Sequence, residues 1–392
     1  MRLAPACCAL VIAATQAAAS DFPLRHGTYL STAPAQAVGV AIADGGLIVV
    51  AGNDAPGSAF PGGSGRLRFI DLEAGLEVQS LPLTGTLRAF ATDAADGRWI
   101  AGGDFGVVLS EASGAAAGPA FAAAAIGGVP ARVALCGPYW ARLAGTQAAL
   151  YDRSGVLQGQ FSVAATRVAD LACSADGSRI YVGGDRQVNA NLRVAYVEAY
   201  DPSGAMHWRA WGWSASELQP SGSTADTDVR RLRLGRDGRL HIAARTDGGN
   251  NLFRYRPQDL TQNAPNVGFD AYNQTFQLSG APSLGYYARL DPASGAQQAG
   301  QYLLTRLSNG NGNSVGTDGL DVDESGRLHL VGQAFASLAT RDTLSIAGNP
   351  VGPYSGGDPY LLVAPSSYQS REYWHPFGAA NGRLSNAQSV SF

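Results

Sequence analysis

The chain of 392 residues contains no lysine; all 28 of its basic residues are arginine. A mechanism built on a Schiff-base lysine or a phosphate-loop lysine is therefore excluded. Charge is sparse as well: charged residues make up 15% of the chain, with 28 basic residues against 31 acidic ones. Binding to a nucleic-acid backbone needs a clustered excess of basic side chains, and no such cluster stands out, so nucleic acid is not expected as a partner. Cysteine is scarce, with four in all. Cys7 and Cys8 precede most of an apolar leader, which is the wrong side for lipid attachment. That leaves Cys136 and Cys173, which an oxidising compartment permits to pair; the alternative is two small buried hydrophobes. Neither stands at metal-ligand spacing, and two thiols cannot staple a chain this long, so stability must come from a conventional core. Beyond the leader, no segment approaches eighteen uninterrupted apolar residues, so no membrane span is expected.

What the chain does have is apolar residues, at 45%, and 50 glycines, a mixture that buries a core and turns often. Residues 1–20 read as a signal peptide. Arg2 precedes an apolar stretch over 3–14, and Ala17, Ala18, Ala19 and Ser20 supply the small residues a signal peptidase requires. The remainder, 21–392, is expected to be one exported domain, secreted or periplasmic.

A hairpin signal recurs along that domain. A short apolar strand runs into a tight turn at Asp44-Gly45, Asp96-Gly97, Asp176-Gly177, Asp237-Gly238 and Ser325-Gly326, with a worn copy at Gly137-Pro138. A β-branched or aromatic strand follows each time. Gly97, Gly137 and Gly177 succeed one another at forty residues, and the wider steps elsewhere are read as insertions. Forty residues fit one four-stranded propeller blade. A second turn lies downstream in each unit, as at Asp201-Pro202-Ser203-Gly204, and joins a third strand to a fourth. The pattern predicts an all-β propeller of about six four-stranded antiparallel blades, with seven if the C-terminal end is incomplete. The units cover about 36–83, 86–126, 130–163, 167–213, 228–308 and 315–378, with a loop insertion at about 250–285. The Ala-rich stretch 115–125 is broken by Gly118-Pro119 and reads as an edge strand with its linker, not a helix. Segments 28–30 and 384–392 resemble outermost and innermost strands that would close the ring.

The run Asp323-Glu324-Ser325-Gly326-Arg327-Leu328-His329-Leu330-Val331-Gly332, followed by Ser355-Gly356-Gly357-Asp358-Pro359-Tyr360-Leu361-Leu362-Val363, resembles the bacterial secreted β-propeller repeat and, more loosely, the delta-60 repeat. Asp201-Pro202-Ser203-Gly204 with Trp208 is similar to the second hairpin of that repeat. The resemblance is carried by the fourth and sixth units. It implies an exported propeller and no particular activity.

Residues just beyond the second strand of each unit fall on one face around the channel: Asn53, Asp54, Asp104, Asp185, Arg245 and Gln333. They are the candidate ligand-binding set. Gly102-Gly103 and Gly183-Gly184 precede two of these aspartates and either admit a ligand close to the backbone or turn the chain into the next loop. Asp321 and Asp323 carry the alternating carboxylates of a calcium loop without its closing acidic residue, so Ca²⁺ is the one cofactor considered and an acidic hairpin the competing reading. Trp208, Trp211, Trp213, Tyr373 and Trp374 either stack on sugar rings or pack between sheets. His241 and His329 share one repeat position. No histidine pair stands at ligand spacing and no serine sits in a nucleophile elbow, so no catalytic residue is assigned. Insertions over 250–285 and 334–357 belong to consecutive units and are candidates for one binding surface. The leading expectation is an exported, non-enzymatic propeller binding a macromolecule or glycan. The alternative is an extracellular hydrolase or lyase acting on polysaccharide or peptide through carboxylates of the channel face.

Overall fold

The computed structural model describes residues 36–376, apart from 44–46, 55–62, 72, 94–96, 112–115, 249, 269–282, 310–311, 339–344, 347–348, 351–353 and 355–356, together with residues 21–22. The leader 1–20, the segments 28–30 and 384–392, and much of both insertions lie outside the described residues.

The chain folds into six antiparallel four-stranded blades arranged in a ring, a β-propeller. Each blade is threaded from the channel outward. The innermost strands are Gln36–Ala43, Leu87–Thr92, Arg132–Cys136, Arg167–Cys173, Thr227–Leu234 and Gly319–Val322. All six line one central channel of about 470 Å³. The fifth blade carries an extra edge strand, Val267–Gly268, which pairs in parallel with its outermost strand Gln297–Leu303. Residues 115–125 contain the outermost strand Ala117–Phe121 of the second blade, as the Gly-Pro break required. Helix is confined to short pieces among the described residues. The one α-helix, Ala215–Leu218, is held by a capping box between Ser214 and Glu217.

The core lies between the blades. Each layer is built from the middle strands of one blade and the inner strands of the next: Phe69 and Leu67 meet Trp99 and Leu87, and Leu143 and Leu150 meet Leu171 and Ile180. Strand periodicity sets the sides. Tyr286 and Tyr287 are neighbours in the third strand of the fifth blade, so they point to opposite faces. Tyr286 packs in the layer toward the fourth blade and Tyr287 in the layer toward the sixth. Each hydroxyl donates to a glutamine of its own blade, Gln297 and Gln301 respectively. The outermost strands are largely exposed, as in Glu77–Pro82 and Leu157–Ser162.

Four innermost strands bulge at the same place. The pairing with the second strand skips Val38, Arg88, Ala169 and Arg230. An extra residue bends a strand and strengthens its twist, which tilts the chain into the channel mouth. The residues opposite are small in every case: Gly52 and Ala51, Gly103 and Gly102, Gly184 and Gly183, Ala244 and Ala243. A Cβ on Gly184 would lie 2.0 Å from the Arg167 carbonyl oxygen, and one on Gly183 would lie 2.9 Å from Val229 of the next blade. Gly183 and Gly184 thus lie inside a strand, opposite a bulge and against the neighbouring blade, whereas Gly103 ends its strand and pairs with Gly106 across the turn at Asp104-Phe105.

Cys136 and Cys173 end the innermost strands of the third and fourth blades with Cα atoms 5.6 Å apart, and they are joined as a disulfide. Both are buried.

Candidate functional site

One end of the channel is the face where innermost strands begin and second strands end. The registers Arg167↔Asp185 and Asp228↔Arg245 put arginines and aspartates opposite one another there. Arg167 lies 2.6 Å from Asp185 and 3.6 Å from Asp228. Asp228 also accepts from Arg230 of its own strand, and from Arg245 at 3.1 Å. Both aspartates are buried. Two of the predicted residues, Asp185 and Arg245, therefore meet in a single network through Arg167 and Asp228, which sequence reasoning missed.

The other predicted residues occupy separate positions. Asp54 accepts from Arg66 at 2.8 Å and Arg68 at 3.0 Å within the first blade. Asp104 pairs with Arg88 at 2.8 Å and takes the Thr86 amide. Burial raises its pKa, but the hydrogen bonds from Arg88 and Thr86 outweigh that and leave it below the ordinary carboxylate value. Asn53 is consumed structurally. Its amide donates to the Leu87 carbonyl and accepts from the Leu87 amide, both at 2.8 Å, clamping the first blade to the second. Gln333 is buried, and its amide nitrogen has no hydrogen-bond partner among the described residues.

Asp321 and Asp323 do not converge on one point. Asp321 accepts from Arg233 at 3.0 Å inside the channel. Asp323 closes its own hairpin turn, accepting from Ser325, Arg327 and His329. Among the described residues no group of three or more potential ligands is gathered around one point. The tryptophans pack between blades. Trp211 is buried edge-on against Phe253 at 5.1 Å, and Trp208 donates to the Pro292 carbonyl at 2.9 Å. Trp374 lies under the Arg371 guanidinium at 4.1 Å. Phe253 belongs to the long insertion, whose first part is not a free surface loop. Leu252 and Phe253 are fully buried between the fourth and fifth blades, and the Trp211 amide donates to the Pro257 carbonyl.

Arg233 in the fifth blade donates to the Thr92 carbonyl of the second blade and to Asp321 of the sixth, both at 3.0 Å, so one guanidinium spans the ring. The channel runs along the innermost strands from Thr86 at the site face to Thr92, Cys173 and Leu234 at the other end. Its wall carries Arg88, Arg132, Arg231 and Arg233 against Asp170 and Asp321. Asp170 is committed to the fold, since it accepts from the amides of Leu171 and Leu232 at 3.1 and 3.0 Å. The cluster is invisible to a linear count of charge because its arginines come from different blades. The one local signal was Arg230-Arg231-Leu232-Arg233, whose alternation inside an innermost strand aims Arg231 and Arg233 into the channel.

No protein-family model and no curated protein matches this sequence. Many solved structures share the shape, with 909 chains matching. One titled "Structure of U3-55K" superimposes with a TM-score of 0.53 at 10% identity, covering 91% of this chain and 85% of its own. Hydrazine synthase of Kuenenia stuttgartiensis gives 0.49 at 10% identity, covering 83% and 76%. At such identity a likeness speaks of the fold alone.

Proposed function

We propose that this chain is an exported β-propeller that binds a macromolecule or glycan without transforming it. The observation that carries the reading is the state of the carboxylates around the channel mouth. Asp54, Asp104, Asp185 and Asp228 each accept from one to three arginines. Polymer hydrolysis by paired carboxylates needs one of them protonated and facing the scissile bond. Oxygens already occupied by guanidinium donors fill neither role. The leader-like residues 1–20 and the Cys136–Cys173 disulfide support export, since disulfides persist in oxidising compartments.

The hydrolase or lyase reading keeps one specific observation in its favour. Asp318, at the start of the sixth blade, has no side-chain hydrogen bond among the described residues, and burial raises its pKa against the opposing pull of Arg231 and Arg230. The two readings part in affinity electrophoresis through gels cast with acidic or neutral polysaccharide, with reducing ends and unsaturated products measured in parallel. The expected result is retardation with no released ends. Release that disappears in Asp318→Asn would overturn the binding reading in favour of the enzyme.

A further inference from the structure

Arg231 stands out among the channel arginines. Arg233 is spent on its bridge between Thr92 and Asp321, Arg88 is paired with Asp104, and Arg132 lies 3.7 Å from Asp170. Among the described residues Arg231 makes one hydrogen bond, from Nη1 to the Arg230 carbonyl at 3.0 Å, and no ion pair within 4.0 Å. A guanidinium has five N–H donors in a planar fork, so the bond to the Arg230 carbonyl uses a small part of the capacity of this side chain, which lines the cavity. Burial in the channel wall pulls its pKa down from the ordinary arginine value, with the nearby carboxylates of Asp170 and Asp318 opposing. Arginine remains charged at any ordinary pH even so.

The surroundings select the partner. The cup holds about 470 Å³, within the range of small-ligand sites and too small for a protein segment of any length. Arg233 crosses the channel near the end away from the site face, which leaves the site-face end for a ligand to enter. Among the described residues the tryptophans are packed in the core layers, and the channel wall carries four arginines with Phe90 as its one aromatic residue.

We propose that the channel is an oxyanion site in which Arg231, flanked by Arg132, receives the carboxylate of an acidic sugar at the end of a glycan chain. This rests on the binding reading above and names its ligand class. A planar carboxylate matches the guanidinium fork through two parallel N–H···O bonds, which a neutral sugar cannot reproduce.

The test uses the whole mature chain. Isothermal titration with trigalacturonate, neutral galactotriose and inorganic phosphate compares charge at similar size and separates a sugar acid from a bare oxyanion. Trigalacturonate should bind at least tenfold tighter than galactotriose, and Arg231→Gln should lose at least that factor while Arg231→Lys recovers part of it. Binding of phosphate alone would keep the oxyanion site and overturn the sugar acid as its source. Equal binding of both trisaccharides, no binding of any anion, or an unchanged affinity in Arg231→Gln would overturn the channel site. If Arg231→Gln does not fold, the comparison of the three probes on the unaltered protein still decides. Product chromatography of the same samples tests the non-enzymatic reading separately, because turnover with an intact Arg231 dependence would sink that reading alone.

Discussion

His241 and His329 are each the second residue of the strand that follows equivalent turns, and each reaches back to a carboxylate of its own turn: His241 Nε2 to Asp237 at 3.0 Å and His329 Nε2 to Asp323 at 3.2 Å. His241 also contacts the Tyr368 hydroxyl through Nδ1, which ties the fifth blade to the sixth. Burial pushes the pKa of both histidines down, and the neighbouring carboxylates only partly offset it. Unfolding releases them to an ordinary value of about 6.5, so below that pH the unfolded chain binds protons that the folded chain refuses. Their contribution is full above about pH 6.5 and declines as the pH falls. Asp323 adds a lower window. Its pKa is far below the ordinary carboxylate value, because hydrogen bonds from Ser325, Arg327 and His329 outweigh the effect of burial, so its contribution fades only under stronger acid. Urea unfolding between pH 7 and 5 should therefore show a falling midpoint, and the double variant His241→Gln/His329→Gln should flatten that slope. An equal slope in the variant would exclude the two histidines as its source.

At the scale of the strand, the bulge and the small pair opposite it recur in four blades. The second strand must lie flat against a bent innermost strand and against the next blade at once, and a side chain has no room there. Gly184→Ala would place a methyl group on the Arg167 backbone oxygen, an atom that cannot swing away. The expected loss is about 1–3 kcal/mol, the cost of overpacking a well-filled interior, read from urea denaturation. Arg167 carries the link between Asp185 and Asp228, so the same variant should loosen that network. An unchanged midpoint would show that the innermost strand shifts freely. The turns and strands were legible in the sequence because Asp-Gly turns followed by β-branched residues repeat a local rule, one that needs no knowledge of the partner. The arginine network was not. Arg167 is 18 residues from Asp185, and Arg233 is 141 from Thr92, so both contacts exist only once sheet register and ring closure are set. Burial of Leu252 and Phe253 was equally hidden, since a polar, Asn-rich segment resembles a surface loop until the neighbouring blade covers it.

Over the whole molecule, the ring grades from a filled interior to a thin rim. The second strands, such as Trp99–Gly103 with all five residues buried, are sandwiched on both faces and both edges. The outermost strands of the first three blades pair on one edge only and expose most of their side chains. Local opening of a segment costs less where few apolar contacts break, so amide exchange should follow distance from the channel. Deuterium uptake is expected to be fastest in Glu77–Pro82, Ala117–Phe121 and Leu157–Ser162, and slowest in the second strands of the same blades. The fourth blade supplies the internal control. Its outermost strand, Met206–Trp211, is shielded at its end by the insertion, because the Trp211 amide donates to the Pro257 carbonyl and the indole packs on Phe253. That strand should exchange more slowly than its three counterparts, with protection rising toward Trp211. Replacing Phe253 with Ala should return it to the common rate while leaving the first three blades unchanged. Uniform exchange across the four outermost strands would mean that the insertion rides on the surface without bracing the ring.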